Sequence, residues 1–546
     1  MSIPKSILQH HLWDINKDSR HEATTSNIRL HYDRAKLICQ ESVIATRDPT
    51  VLTISSIHLN LCIGTIARFR GSQPHLTRIL DDLIQFRVCG EFMLTEIGHG
   101  LDARNLETTA TMLEDGSYVL NTPNFAAAKA MPPTTPLAGI PRVAVVFARL
   151  IVRNDDRGVK PFLVPINDEW EMHRGVTSRA LPIRPGTKPL DHAITTFKDV
   201  RLGPGALLGS AAKAEDQRAD FFDQIWRVSV GTIALSFASI SSLKVSGCIA
   251  GLYSQKRRVA AGRGSETTAV INFSTQSRPV LKALAHSEVL EVYALWTVRE
   301  FMDPEHSVDV RRGLAAAFKA LVTRSSRTMT ELVERCGWQG LFAHNQINEL
   351  ALSFQGNSIA EGDTLVLCIR LASEVLMGKY RLPEPTHQDS PLAKYERGLF
   401  QEATEKVQSL SGGHRGEGFN SGILPRCRGL VEAMGQRMAY EAAARVETVL
   451  PEVLDVFVMS CIREDPSWYT EHGELTRAQI WHDEEDAYRQ LFPLLPKLIE
   501  RSGAQDYIAA PMIEEEKLEK FTLGLATFGL DEDVISGSVR KRHSKL

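Results

Sequence analysis

The sequence predicts an α+β protein, mainly α, in which a β domain interrupts an otherwise helical chain. Three observations predict this order. Apolar residues recur at helical spacing up to about residue 90, short β-type runs with dense prolines follow to about residue 208, and long helical patterns return after Gly209. At 546 residues the chain exceeds what one hydrophobic core can serve, and its length implies roughly three or four.

The first helical region, residues 1–90, is read from segments such as ILQHHLWDI, LICQESVIA and LTRILDDLIQF. In the β region, residues 91–208, the run ATMLEDGSYVLNT places β-type residues on either side of Asp115-Gly116. VAVVFARLIV and GVKPFLVPI supply further strands. Nine prolines between Pro132 and Pro189 oppose long helices there. Residues 209–385 read as a helical bundle opened by DQIWRVSVGTIALSFASISSL. Within it Val228–Leu243 is uncharged but short for a bilayer span and rich in small residues, so a buried, closely packed helix is expected rather than a membrane span. Residues 386–422, ending in the glycine-rich SLSGGHRGEGFNSG, read as a linker, and 423–546 as a second helical set.

Composition narrows the function classes. With 43% hydrophobic and 24% charged residues, the chain is typical of an ordinary globular protein. A net charge of -3, from 63 basic and 66 acidic residues, provides no field for nucleic acid. The eight cysteines are widely spaced, without CxxC pairs or zinc-ligand spacing, and are expected to be free, mostly buried thiols. The acidic run His482-Asp483-Glu484-Glu485-Asp486 reads as a solvated helix face, and no metal site is expected. The chain ends in Ser544-Lys545-Leu546, a tripeptide read by the peroxisomal import receptor.

Five strings carry more specific information. Thr95-Glu96-Ile97-Gly98-His99-Gly100 is followed by Arg104-Asn105-Leu106-Glu107-Thr108-Thr109-Ala110-Thr111. Further on come Tyr253-Ser254-Gln255-Lys256-Arg257-Arg258, Cys336-Gly337-Trp338-Gln339-Gly340 and Ile359-Ala360-Glu361-Gly362-Asp363-Thr364. Together with the order of domains, these resemble the peroxisomal acyl-CoA oxidases of the acyl-CoA dehydrogenase/oxidase superfamily. The resemblance implies a β-barrel-like middle domain contacting FAD and a C-terminal helical domain of the oxidase type. It also implies a homodimer, because the family builds its flavin site from two subunits. Carried onto this sequence, it implies flavin contact at Thr95, Arg258, Gln276, Gly337 and Gly340, and a catalytic base at Glu361.

The implied chemistry is α,β-dehydrogenation of an acyl-CoA to a trans-2-enoyl-CoA. Glu361 removes the α-proton, the β-hydrogen leaves as hydride to the flavin, and O2 takes the electrons to give H2O2 in the peroxisome. Polarisation of the thioester carbonyl is assigned to the N–H of Glu361 itself. Two bland readings stand beside these. Ser358 and Glu361 have capping-box spacing, in which the carboxylate merely satisfies a helix start, and Arg257 and Arg258 suit a solvated helix end. Three positions depart from the family pattern. A proline-rich stretch, Ala130–Gly139, replaces the family's glycine-rich loop, Val259 replaces a glutamine, and Trp338 replaces a glycine. The N-terminal domain is also short, which implies room for bulkier acyl chains. An acyl-CoA dehydrogenase using another acceptor, or an acyl-CoA-binding relative without flavin, are the alternatives.

Overall fold

A computed structural model describes residues 45–528, apart from 133, 185, 187–189, 263–265, 412 and 414–415. The first part of the expected N-terminal helical domain, Cys39, Pro133, Pro185, Pro189 and the terminal Ser544-Lys545-Leu546 lie outside the described residues.

The chain enters through helix α1 (Pro49–Phe69). Its middle, Ser56–Ile63, is wound as a π-helix, a distortion concentrated at functional sites. Helix α2 (Leu76–Ile84) follows, burying Leu76, Leu80 and Leu83 at i, i+4, i+7 spacing. Nine strands come next: β1 (Cys89–Met93), β2 (Thr109–Met112), β3 (Tyr118–Asn121), β4 (Lys129–Met131), β5 (Arg142–Val152), β6 (Asp155–Asn167), β7 (Val176–Ala180), β8 (Ala193–Phe197) and β9 (Val200–Leu202). As the sequence pattern predicts, β2 and β3 form a hairpin around Gly116, whose φ of 81° suits glycine.

Long β5 organises the main sheet. Along one edge it pairs in parallel with β1 and then β2, and antiparallel β6 occupies the other edge. A second sheet has the order β4-β8-β7. Alternation along β5 divides the packing. Val143, Val145 and Phe147 face Ile57, Leu61 and Leu83 of α1 and α2, whereas Ala144, Val146, Ala148 and Leu150 join Phe162, Val164, Val176 and Phe197 in the core between strands.

After α3 (Gln217–Gln224), the 31-residue helix α4 (Trp226–Lys256) forms the spine of the bundle. This helix has the length and apolarity of a membrane span, but the fold encloses it as the sequence predicts. Ser236, Ser239 and Ser242 return their hydroxyls to carbonyls four residues earlier, satisfying polar groups in a buried helix. At Gly247 a Cβ would lie 3.1 Å from Leu284, so the glycine admits the neighbouring helix closely. A small hairpin, β10 (Arg258–Ala260) and β11 (Thr267–Ala269), leads to α5 (Ser274–Met302), α6 (Val308–Ser326), α7 (Thr328–Arg335), α8 (Ile347–Ile359) and α9 (Thr364–Leu376).

The expected linker requires correction. Much of 386–422 is helix α10 (Pro391–Gln408), which buries Leu392, Ala393 and Tyr395. Its Glu396 accepts from buried Arg437 at 2.6 Å, an ion pair that ties the segment to the fold. Beyond it, α11 (Cys427–Ala444), α12 (Pro451–Ile462), α13 (Arg477–Leu491) and α14 (Glu515–Leu523) continue the helical set. One hydrophobic cluster runs from Ile233 to Ile513, so the bundle and the C-terminal helices share a core rather than owning one each. The seven described cysteines are buried and unpaired, matching the sequence reading.

Candidate active site

Glu361 lies in the four-residue connection between α8 and α9, with φ +53°, followed by Gly362 at φ +98°. This position removes the capping-box reading. Ser358 belongs to α8 and donates to Gln355 O, while α9 is capped by Asp363, which accepts from Leu365 N and Val366 N. The Glu361 side chain is therefore not used to start a helix.

Instead its carboxylate enters the seam between α1 and α4. Oε1 accepts from Ser56 Oγ at 2.8 Å, and Oε2 lies 3.4 Å from Asn60 Nδ2, both donors coming from the π-helical stretch of α1. Arg227 Nε donates to Asn60 O, steadying that residue. The space exists because residue 231 is glycine: a Cβ there would lie 1.0 Å from Glu361 Oε2. Thr232 Oγ1 donates to Glu361 O at 2.7 Å, and Lys319 Nζ donates to Ala360 O and Gly362 O at 2.6 Å each. The Glu361 N–H makes no hydrogen bond among the described residues and remains available.

Burial pushes the Glu361 carboxyl up to about 7, against the opposing pull of the Ser56 hydrogen bond and the charges of Lys319 and Arg227. An acid poised there is ionised in a large fraction of molecules near neutral pH, yet retains more basicity than an exposed glutamate.

Two cavities meet at this carboxylate, sharing Gly100, Leu101, Ala103, Val228 and the turn Glu361-Gly362-Asp363. The first, of about 510 Å³, lies between α1, the β domain and the α8–α9 connection, with Phe92, Leu94, Thr95 and Met131 on its β-domain wall. The second, of about 490 Å³, extends towards Phe222, Arg312, Arg370 and Tyr380.

The Thr95 string has a structural explanation that the sequence did not disclose. Buried Glu96 accepts from Glu107 N, Thr108 N and Lys129 Nζ at 2.8–3.0 Å, joining both halves of the motif behind the cavity wall. Burial opposes ionisation of Glu96, but Lys129 and these donors outweigh it and hold the carboxyl below its ordinary range. Thr95 itself makes no side-chain hydrogen bond among the described residues and lines the cavity, so its hydroxyl is free for a ligand.

The structure brings Thr95 and Glu361 together, but it groups the other predicted residues elsewhere. Arg258 lines a third cavity, of about 370 Å³, with Tyr253, Arg257 and Gln339. Its guanidinium is engaged by Thr267 Oγ1 and Thr267 O across the β10–β11 hairpin. Gln276 spends its amide donors on Ser254 Oγ and Arg335 O. Gly337 is exposed with φ +57°, whereas Gly340 is buried where a Cβ would lie 2.3 Å from Val333 O, a packing requirement.

FAD is the cofactor implied by the sequence, and the first cavity offers such a group the apolar side chains of Phe92, Leu94 and Met131 and the free Thr95 hydroxyl. The loop replacing the glycine-rich segment contributes differently. Between Pro132 and Pro136 only Thr134 and Thr135 possess an N–H, and both donate to Asp191. Thr134 Oγ1 also donates to buried Glu91, which with Asp191 faces Arg142. Residues 132–136 are thus bound to the β domain through both of their backbone donors.

The arrangement of a long helical bundle and a two-sheet domain is similar to the fold of solved acyl-CoA oxidases. Acyl-CoA oxidase 1 of Yarrowia lipolytica aligns with a TM-score of 0.78 over 96% of this chain and 91% of that chain, at 20% identity. A Caenorhabditis elegans acyl-CoA oxidase-2 structure, bound with FAD, ascaroside-CoA and ATP, aligns with a TM-score of 0.75 over 86% of this chain and 80% of that chain, at 18% identity. The acyl-CoA oxidase C-alpha1 domain model matches residues 231–376. Arabidopsis thaliana acyl-coenzyme A oxidase 2, peroxisomal, is 26% identical over 335 residues, or 56% of this chain. That match spans about half, 48%, of the Arabidopsis protein. The chain is thus similar to acyl-CoA oxidases in sequence and in fold.

Sequence reasoning missed Ser56, Asn60, Arg227, Gly231 and Lys319. Only Lys319 left a local signal, a single charge inside the apolar run GLAAAFKALVT.

Proposed function

We propose that this protein is an FAD-dependent acyl-CoA oxidase that converts an acyl-CoA to its trans-2-enoyl-CoA. The carrying observation is Glu361: a carboxylate of raised proton affinity, seated where two cavities meet, with its own N–H unused. The flavin, when bound, supplies the acceptor for the β-hydrogen and delivers the electrons to O2, releasing H2O2.

Glu361 takes the α-proton. Ser56 and Asn60 hold its carboxylate before the substrate enters and favour the ionised form that a base requires. The Glu361 N–H donates to the thioester carbonyl, an interaction that strengthens as enolate charge develops. Gly231 keeps the space beside the carboxylate clear, and the apolar cavity wall excludes water from the reacting carbons. Arg258 is assigned to the flavin of a second copy, because the third cavity that it lines is distinct from the one containing Thr95 and Glu361, and this requires a homodimer; Gln276 and Gly340 support the helices around it. The peroxisome, reached through Ser544-Lys545-Leu546, is the proposed location, as the names of the relatives suggest.

The committed amides of the proline-rich loop favour a second reading, a relative that no longer retains flavin. The deciding experiment reconstitutes the protein with FAD and mixes it with a panel of acyl-CoAs, following flavin bleaching without oxygen and peroxide with it. Bleaching and peroxide establish the oxidase, and bleaching that only an artificial acceptor reverses indicates a dehydrogenase. A protein that remains colourless after FAD addition establishes the second reading.

A further inference from the structure

We propose that Lys319 is the positioning residue of Glu361, bridging the carbonyls on either side of the base so that its left-handed backbone and its carboxylate keep one geometry beside a positive charge. The inference rests on the reading of Glu361 as base.

Lys319 projects from α6 and is 1% exposed. Burying an ammonium is unfavourable unless its donors are accepted and an opposite charge lies near. Both conditions are met at one place: Nζ donates 2.6 Å to Ala360 O and 2.6 Å to Gly362 O, the carbonyls of the two residues adjoining Glu361. Its opposite charges are Glu361 and Asp363. Between the clamped carbonyls, Glu361 adopts φ +53°, a region disfavoured for a residue with a Cβ, and Gly362 adopts φ +98°. The clamp therefore acts where the backbone most needs restraint. The remaining charged group facing the carboxylate is Arg227 from α4, while α1 contributes only uncharged Ser56 and Asn60. Removing the ammonium takes away one of two cationic influences on Glu361 and the bonds to the carbonyls of both its neighbours, leaving Thr232 on the carbonyl of Glu361 itself.

Two measurements test this, and the first is independent of catalysis. Thermal midpoints are compared for the parent, Lys319→Met, Glu361→Gly and the double variant. Glycine adopts the left-handed region without a Cβ and carries no charge, so Lys319→Met should lower the midpoint in the Glu361→Gly background by no more than about half as much as in the parent. In the second, Lys319→Met reconstituted with FAD should reduce it about 100-fold more slowly at saturating acyl-CoA, with KM within about threefold of the parent. The pH at which reduction becomes half-maximal should rise by about one pH unit, because the carboxylate has lost a stabilising cation. If the methionine variant does not fold, Lys319→Gln replaces it in both measurements. Additive midpoint losses, or an unmoved pH profile in a folded variant, overturn the proposal. If the parent reduces no flavin with any acyl-CoA, the proposed function fails, and the midpoint comparison still decides the role of Lys319.

Discussion

Two irregular connections approach the same cavity, and they are restrained in opposite ways. In 360–363 the carbonyls are held, by Thr232 and Lys319, and the Glu361 N–H is left free. In 132–136 the amides are held, by Asp191, and prolines supply none in compensation. The difference teaches which groups each connection can offer a ligand. The first presents a donor and a base, whereas the second presents only shape. The sequence resemblance covers the first connection and not the second.

The largest expected effect falls on the first connection. Glu361→Gln should retain the fold and slow flavin reduction about 1,000-fold or more, measured anaerobically by stopped flow. A near-parental rate would remove the base from the comparison altogether. Gly231→Ala should cost about 100-fold in the same measurement, because the added methyl group and the carboxylate claim the same space. Normal turnover there would mean that the carboxylate works from another seat.

Acidity provides the next test. The base must be ionised, so the rate should rise about tenfold per pH unit up to about 7 and then level off. The stability effect has the opposite sign. Folding favours the neutral acid, so this contribution is complete below the ordinary value of 4.5 and lost as pH rises through about 7. Glu361→Gln should consequently melt at a higher temperature than the parent at pH 8, a difference that disappears near pH 4.5.

The smaller effects separate the two connections directly. Thr95→Val should weaken FAD binding about five- to tenfold in a fluorescence titration, the worth of one hydrogen bond, whereas Thr135→Val should lower the melting temperature and leave FAD affinity unchanged. If Thr135→Val weakens FAD binding as much, the second connection does serve the cofactor. Ser56→Ala is expected to have the least effect, moving the pH profile upward by a few tenths of a unit.

The helix–sheet–helix order was legible because periodicity reports which face of an element is buried. The β2–β3 hairpin at Gly116 and the enclosed, small-residue helix α4 follow from such local rules. Helix α10 was not legible as part of the fold. Its buried Leu392 and Tyr395 sit in a sequence rich in charge, and the glycine-rich stretch behind it dominated the composition. The position of Glu361 followed from motif resemblance, but its surroundings did not. Ser56 and Asn60 reach it across about 300 residues of chain, a separation at which no spacing rule operates. Lys319 announced only that something unusual happens within an apolar helix, and the carbonyls that explain it lie more than 40 residues away.

The space at Gly231 also makes the order of mutations matter. While the acid is in place, no larger residue fits at 231; once the acid is shortened, a methyl group or more can settle there unopposed. Restoring the glutamate afterwards would meet an occupied seat, so a lineage that loses this side chain and then drifts at 231 cannot regain it by a single step back. The glycine thus works as a ratchet tooth, and a copy that retains both residues has not yet passed it.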